Sequence, residues 1–387
     1  MKSIISFVIF ALVLTLSSML QVVPCSAVTI AFPKASIAYT SSAVSAFVFD
    51  ANSGRVFYEK NANQKLPMAS TTKIVTAITV IDNCDDLDKK VIIDKRAVGV
   101  EGTSIYLRAG EVLSVRELLY GLMLRSGNDA AVALALSIAD SVENFCALMN
   151  KTAQKVGACN SNFANPHGLD DENHYTTASD LAKITAYALE NKDFAQIVST
   201  KNIKIPSVEE GYRFLSNKNR LLSSLDGCIG VKTGFTSKAG RCLVSATQRD
   251  GLRVVCVVLN CGPMFEESAD MLNKVHEKYK NFEILAPYQF ITSIPLENGE
   301  NPSIEVYSKR GLSLALTNEE FSNINVTYDL PQILSAPLQN NQEVGEVKVY
   351  YGKDLIFCEK ICTINDVESV RLKDKMKDIL ERWRILG

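Results

Sequence analysis

A serine and a lysine directly precede a largely apolar segment, and this feature constrains the fold more than any other. Ser70-Thr71-Thr72-Lys73 leads into Ile74-Val75-Thr76-Ala77-Ile78-Thr79-Val80-Ile81. A helix over these residues is apolar on every side, so we expect other elements of the protein to enclose it. Burial disfavours an ammonium group, so we expect the pKa of Lys73 to lie well below its usual value of about 10.4.

The spacing of Ser70 and Lys73 matters as well as their chemistry. Residues three apart on a helix share a face, with roughly 5–6 Å between their Cβ atoms. A neutral lysine within reach of a hydroxyl can serve as the base that a serine nucleophile requires. Backbone N–H groups of the first helical turn also point to where an oxyanion would form. Ser-x-x-Lys alone is common by chance, so the pair needs further support.

Two more motifs supply that support. Ser126-Gly127-Asn128 follows a helical pattern, and Lys232-Thr233-Gly234 precedes Phe235 in a strand-like segment. In isolation, Ser126 would be a loop residue and Lys232 a solvated charge. The order S-x-x-K, S-x-N, K-T-G, however, is the set shared by penicillin-binding proteins and class A β-lactamases.

The residues around these motifs are more specific. Leu66-Pro67-Met68-Ala69 before Ser70, Asn165-Pro166-His167-Gly168-Leu169-Asp170, and the segment from His174 to Ala182 resemble the D-alanyl-D-alanine carboxypeptidases. These are low-molecular-mass penicillin-binding proteins of the S11 serine peptidase family. The resemblance implies an α+β fold: a penicillin-binding/β-lactamase-like catalytic domain with an antiparallel sheet flanked by helices, then a small β-rich domain and a C-terminal amphipathic helix.

The resemblance also implies roles for individual residues. Ser70 is the expected nucleophile, Lys73 the base, and Ser126 a proton relay to the leaving amine. The expected substrate-binding residues are Asn128, Lys232, Thr233, Gly234 and Phe235, and the backbone N–H groups of Ser70 and Phe235 are the expected oxyanion donors. His167 lies in a predicted turn and is a weaker candidate for a general base. No metal or organic cofactor is implied.

The implied activity is removal of the terminal D-alanine from peptidoglycan pentapeptides through an acyl-enzyme, with covalent binding of β-lactams. Two alternatives remain open at this point. A class A-like β-lactamase would need an E-x-x-L-N loop, which Glu172-Asn173 does not match, and a penicillin or peptidoglycan sensor would turn over little. Some family members carry an arginine that binds the substrate carboxylate. The corresponding stretch here, Gly262-Pro263-Met264-Phe265-Glu266-Glu267, has none.

The two ends of the chain predict export and membrane contact. Lys2, an apolar stretch from Ile4 to Leu16, and Cys25-Ser26-Ala27 predict a signal peptide over residues 1–27. An uncleaved anchor and a lipoprotein acceptor at Cys25 are the alternatives. Residues 366–387 predict a basic amphipathic helix carrying Trp383, which favours a peripheral place on the outer face of the cytoplasmic membrane over packing on the protein itself.

Between these ends, the resemblance implies a catalytic domain over residues 35–285, and a change to a period-two pattern predicts a β-rich domain over 290–365. Predicted strands span Ser45–Asp50, Arg241–Ala246 and Leu252–Asn260, and Lys232 should lie on or beside an edge strand. The formal net charge of −2 gives no support for nucleic-acid binding. Nine cysteines remain after Cys25, without zinc-ligand spacing, and we interpret most of them as buried free thiols.

Overall fold

The computed structural model describes residues 35–209, 211–370 and Met376. This part of the chain forms two compact units. The larger unit contains the residues up to Pro287 together with Gly311–Ser322. The smaller unit contains Tyr288–Arg310 and the residues from Asn323 onward.

The regular elements are numbered along the described chain. The strands are β1 (Ser45–Asp50), β2 (Val56–Lys60), β3 (Lys90–Ile92), β4 (Val112–Ser114), β5 (Asn202–Ser207), β6 (Gly211–Ser216), β7 (Cys228–Thr236), β8 (Gly240–Arg249), β9 (Leu252–Leu259), β10 (Lys280–Leu285), β11 (Gln289–Glu297), β12 (Ser303–Ser308), β13 (Leu312–Leu316), β14 (Ile324–Asp329), β15 (Leu334–Ser335), β16 (Glu343–Tyr351) and β17 (Asp354–Thr363). The α-helices are α1 (Lys73–Asp82), α2 (Val115–Leu124), α3 (Asn128–Ile138), α4 (Val142–Lys155), α5 (Ala178–Glu190), α6 (Lys192–Ser199), α7 (Leu221–Ser224), α8 (Met264–Lys278) and α9 (Asn318–Phe321).

An antiparallel sheet with the strand order β2-β1-β9-β8-β7 forms the centre of the larger unit. Its strands read as nearly continuous apolar runs because both faces are covered. On β9, Val255 and Val257 face the cluster built by α1 to α6. Val254, Cys256 and Val258 alternate with them and pack on the other face, where α8 lies. The unit is therefore a sheet between two helical layers, as the α+β prediction requires.

Helix α1 lies inside this unit. Every residue from Lys73 to Val80 is buried, which confirms the prediction made from its apolar composition. Such a helix cannot slide or rotate without exposing apolar groups, so it holds the residues at its N-terminal end in a fixed position.

Local sequence signals set several element boundaries. The β8–β9 hairpin turns at Asp250-Gly251, where both residues have positive φ, at 47° and 80°. Asp-Gly suits a two-residue turn of this kind because glycine carries no Cβ. Helix α2 begins with a capping box, in which Ser114 accepts from the N–H of Glu117 and the Glu117 carboxylate accepts in return.

The smaller unit is a sheet with the strand order β14-β16-β17-β12-β11-β15. Its period-two pattern buries Val347 and Val349 of β16 on one face. The expected β-rich region is thus present, but one segment within it belongs to the larger unit. β13 pairs with β10, and Glu320 of α9 forms a salt bridge with the buried Arg55 at 2.6 Å. Strand pairing between distant segments cannot be predicted from the local hydrophobic pattern of either segment.

The predicted signal peptide over 1–27 lies outside the described residues, as does the predicted helix over 366–387 from residue 371 onward apart from Met376. The start of that helix prediction is wrong: residues 366–370 are extended, and Val367 and Ser369 form antiparallel bridges with Leu338 and Gly299. Between residues 35 and 370, apart from residue 210, no single helix is long and apolar enough to cross a bilayer. The described cysteines are all free thiols and most are buried.

Candidate active site

Ser70 lies in a 3-10 turn, Ala69–Thr72, that runs directly into α1 at Lys73. The sequence predicted a single helix through both residues. The tighter turn still places them on one side, because a 3-10 helix repeats every three residues. The ammonium nitrogen Nζ of Lys73 is 3.0 Å from Oγ of Ser70, so the predicted contact is present.

Lys73 is enclosed and has two other hydrogen-bond partners. Its Nζ lies 2.7 Å from Oδ1 of Asn128 and 2.5 Å from the carbonyl oxygen of His167. Burial lowers the pKa of Lys73 well below its usual range, and the positive charges of Lys232 and Lys218 lower it further. A neutral amine has two N–H donors and one lone pair. With the donors directed at Asn128 and His167, the lone pair is free to accept the Ser70 proton.

Two glycines allow other segments to approach the 3-10 turn Ala69–Thr72 closely. We call this segment the nucleophile turn, after the predicted role of Ser70. A Cβ on Gly168 would lie 2.0 Å from the carbonyl oxygen of Ala69, and its φ of +91° also favours glycine. A Cβ on Gly234 would lie 3.1 Å from the backbone nitrogen of Ser70. The absence of side chains here lets the 165–170 loop and strand β7 pack directly on the turn.

A buried histidine also holds this turn. Nδ1 of His174 accepts from the N–H of Ala164, so Nε2 carries the proton and donates to Oγ1 of Thr72 at 2.8 Å. The Thr72 hydroxyl in turn donates to the carbonyl oxygen of Ala69. Burial lowers the pKa of His174 to about 4, so the ring stays neutral near pH 7. Sequence reasoning gave His174 no role, although it stands in one of the family-like segments.

His167 acts through its backbone in this structure. Its carbonyl accepts from Lys73, while Nδ1 of its ring accepts from the N–H of Leu169. Burial and the nearby Lys73 lower the pKa of the His167 ring to about 3. A base this weak would hold very little of any proton it abstracted.

Ser126 and Asn128 lie at the start of α3. Ser126 is buried and has a φ of +66°, a conformation that non-glycine residues rarely adopt. Nδ2 of Asn128 donates to the carbonyl of Glu101 at 2.6 Å, which turns Oδ1 toward Lys73. Both amide atoms of Asn128 therefore contact the protein, and the side chain positions Lys73. Asn128 is buried and is not among the residues that line the cleft, so the structure does not place this predicted substrate-binding residue at its surface.

Asp129, which sequence reasoning missed, fixes the loop that ends at this point. Its buried carboxylate accepts from the N–H groups of Ile105 and Leu107 and from the hydroxyl of Ser104. Hydrogen bonds from backbone N–H groups to a carboxylate are charge-assisted, so several of them to one side chain stabilise the loop strongly. The 101–107 loop is thereby attached to α3 beside Ser126.

Lys232, Thr233, Gly234 and Phe235 lie along β7, the edge strand of the central sheet, as predicted. Lys232 is 1% exposed, and its Nζ donates to the carbonyl of Thr233. Burial lowers its pKa to about 7, with a further contribution from the charge of Lys218. Phe235 is largely exposed, with its side chain at the surface.

These elements border one cleft of about 570 Å³. Ser70, Ser126, Thr233, Gly234 and Phe235 line it, so the structure brings these predicted residues together. Lys73 and Lys232 lie beneath the lining, consistent with their burial. Residues that the sequence did not identify also line the cleft: Thr103, Asn217, Lys218, Arg220, Met264 and Phe265.

A single hydrogen bond connects the end of β7 to the loop under the nucleophile. Oγ1 of Thr236 donates to the Asp170 carboxylate at 2.9 Å. The Asp170 carboxylate is thus held at the end of β7. The group that the loop presents to Lys73 is the backbone carbonyl of His167.

Comparison with known proteins agrees with this geometry. A family model described as D-alanyl-D-alanine carboxypeptidase matches residues 32–262, and one described as penicillin-binding protein 5, C-terminal domain, matches residues 279–369. The chain is 29% identical over 349 residues to the D-alanyl-D-alanine carboxypeptidase DacF of Bacillus subtilis, covering 88% of this chain and 90% of that protein. It is 32% identical over 360 residues to the D-alanyl-D-alanine carboxypeptidase DacA of Haemophilus influenzae, covering 88% of each.

A solved structure shares the architecture over most of its length. Penicillin binding protein 5 from Haemophilus influenzae superimposes with a TM-score of 0.72 at 28% identity. The match covers 86% of this chain and 99% of that one.

Proposed function

The chain belongs to the D-alanyl-D-alanine carboxypeptidase family of serine peptidases, and we propose that it removes the terminal D-alanine of peptidoglycan pentapeptides through an acyl-enzyme on Ser70. The observation that carries the proposal is the 3.0 Å contact between Oγ of Ser70 and the buried amine of Lys73. Few lysines are fully buried beside a hydroxyl, because the desolvation of the charged form is costly. A serine nucleophile with a lysine base accounts for that arrangement.

In the first half of the reaction, Lys73 takes the Ser70 proton as Oγ attacks the carbonyl carbon of the penultimate D-alanine. The negative charge develops on the carbonyl oxygen, and the N–H groups of Ser70 and Phe235 are its proposed donors. Collapse of this intermediate breaks the peptide bond. Ser126 donates its hydroxyl proton to the leaving amine and takes the proton that Lys73 had accepted, so free D-alanine departs and Lys73 is neutral again.

In the second half, water attacks the ester that links Ser70 to the shortened peptide. Lys73 accepts a proton from the water, the ester bond breaks, and Oγ of Ser70 recovers its proton. A β-lactam follows the first half through opening of its ring amide. Its amine stays tethered to the acyl group, so the covalent adduct persists.

The surroundings of Lys73 favour a carboxypeptidase over a class A-like β-lactamase. Such a β-lactamase deacylates with a glutamate on the loop beneath the nucleophile. The corresponding loop presents the backbone carbonyl of His167 to Lys73, and its Asp170 is hydrogen-bonded to Thr236.

One experiment tests the activity and separates the alternatives. The protein without residues 1–27 is incubated with a pentapeptide ending in D-Ala-D-Ala and, separately, with a labelled penicillin. We expect D-alanine release and a long-lived penicillin adduct, both absent in Ser70→Ala. Rapid loss of the adduct would favour a β-lactamase, an adduct without D-alanine release would favour a sensor, and labelling of Ser70→Ala would exclude Ser70 as the nucleophile.

We further propose that the protein is exported and held on the outer face of the cytoplasmic membrane by residues 371–387, the remainder of the helix predicted over 366–387. The support is its one-sided apolar stripe with Trp383 and its excess of lysine and arginine. Full-length protein should co-sediment with anionic vesicles more than a form lacking 371–387 does, and added salt should reduce the difference. Equal sedimentation of the two forms would rule out the anchor.

A further inference from the structure

The cleft contains an arginine that the proposed reaction does not use. Arg220 immediately precedes α7 and lines the same cleft as Ser70 and Thr233. Its guanidinium lies 5.7 Å from the centre of the Phe265 ring. Phe265 belongs to the 262–267 stretch in which sequence analysis found no arginine for the substrate carboxylate.

A carboxypeptidase needs a cation in this cleft. Its substrate ends in a free carboxylate one residue beyond the scissile bond, and recognition of that charge separates a chain end from an internal peptide bond. A guanidinium suits the task because its parallel N–H groups bind a carboxylate in a bidentate manner and remain charged at any physiological pH.

The guanidinium of Arg220 is available for such a ligand. Across residues 35–209 and 211–370, no carboxylate forms a salt bridge with it. Several other arginines of the larger unit are paired, among them Arg213 with Glu111, and Arg116 with Asp88 and Asp193. Arg125, Arg241 and Arg253 form no salt bridge with a described carboxylate either, but they do not line this cleft. The 5.7 Å contact with the Phe265 ring is a cation–π interaction, which places the guanidinium in the cleft without pairing its charge with a carboxylate.

We infer that Arg220 binds the terminal carboxylate of the D-Ala-D-Ala substrate, in place of the arginine that the 262–267 stretch lacks. The assignment rests on the proposed carboxypeptidase function. It makes Arg220 and Phe265 a complementary pair: the cation comes from the chain before α7, and the aromatic ring from the start of α8 supports it.

The lysines near the cleft are less suited to this role. Lys232 is 1% exposed and donates to the backbone of Thr233. Partial burial and the neighbouring Arg125 lower the pKa of Lys218, whose charge in turn acts on Lys73 and Lys232. The charge of Lys218 therefore acts on the pKa values of Lys73 and Lys232. The Arg220 guanidinium instead lies at the side of the cleft that Phe265 lines.

The test compares substrates that differ only in the carboxylate. Release of D-alanine from diacetyl-L-lysyl-D-alanyl-D-alanine is measured beside release of D-alaninamide from its C-terminal amide. Arg220→Ala should lower kcat/KM for the acid by roughly 10- to 100-fold, the usual cost of one hydrogen bond to a charged group, and change kcat/KM for the amide by less than about twofold. Arg220→Lys should fall between the wild type and Arg220→Ala on the acid because it keeps the charge without the bidentate geometry.

Lys238→Ala is the matched control, since Lys238 is an exposed cation in the β7–β8 turn outside the cleft lining. It should leave both substrates unchanged. An Arg220→Ala variant equal to wild type on the acid, or equally impaired on both substrates, would overturn the inference. So would a carboxylate-selective loss in Lys218→Ala that is absent in Arg220→Ala.

A second readout separates this inference from the proposed function. The acylation rates of Ser70 by benzylpenicillin and by its methyl ester report carboxylate binding without peptide turnover. A wild type that releases no D-alanine would refute the peptidase proposal. The ratio of the two penicillin rates in Arg220→Ala would still decide whether Arg220 binds the carboxylate: a ratio that falls toward one supports it, and an unchanged ratio refutes it.

Discussion

Replacing Lys232 with methionine should make the protein more stable while removing its activity. The lysine is 1% exposed, and burial lowers its pKa from 10.5 to about 7. The folded protein therefore holds the proton of Lys232 much less tightly than the unfolded chain does. Methionine has a similar length and no charge, so Lys232→Met removes the cost of desolvating the ammonium.

The sign and size of the effect follow from proton linkage. Between pH 7 and 10.5 the unfolded state binds more protons at this site, so wild-type stability rises with pH by about 1.4 kcal/mol per unit. Below pH 7 both states are protonated, and the full cost is present, roughly 5 kcal/mol for a shift of this size. The stability advantage of Lys232→Met should thus be largest below pH 7 and shrink steadily toward pH 10.

The assay is urea unfolding followed by far-ultraviolet circular dichroism at several pH values from 6 to 10. Lys238→Met serves as the control, because that lysine is exposed and its replacement should give a small difference that does not vary with pH. An advantage of Lys232→Met that stays constant across this range would refute the reasoning. A variant less stable than wild type at pH 6 would refute it as well.

Three other substitutions test how the site is held. Lys73→Ala should slow acylation of the protein by penicillin about 10²- to 10⁴-fold, the range expected for loss of a general base, and unchanged stopped-flow kinetics would exclude that role. Gly168→Ala should displace the nucleophile turn and slow acylation, because its Cβ would lie 2.0 Å from the Ala69 carbonyl oxygen. Gly99→Ala is the control for the backbone cost alone, since Gly99 has a similar φ of +74° and open space around it. Equal acylation rates in the two variants would contradict the steric argument. Asp129→Ala leaves two buried N–H groups without their acceptor. It should therefore lower the free energy of unfolding by about 2 to 5 kcal/mol. An unchanged melting temperature would count against the role of Asp129 in fixing the loop.

The sequence by itself identified the candidate catalytic motifs and much of the central architecture. The apolar composition of α1 required burial, and burial at Lys73 required a weakened ammonium. The period-two and continuous apolar runs located β1, β8 and β9 because side-chain burial along a strand depends on its two faces. Each of these conclusions rests on neighbours within a few residues, which a linear pattern contains.

The tertiary structure alone decided the partners of the catalytic groups. Lys73 is held by the carbonyl of His167, 94 residues away along the chain, and no residue type encodes a backbone acceptor. The same is true of the meeting of Arg220 with Phe265, 45 residues apart in number, and of the return of β13 to β10. Hydrogen bonds and desolvation depend on which atoms exclude water at a point in space. The exclusion of water is a property of the packed chain, so it can be assessed only when the distant segments have been brought together in the folded structure.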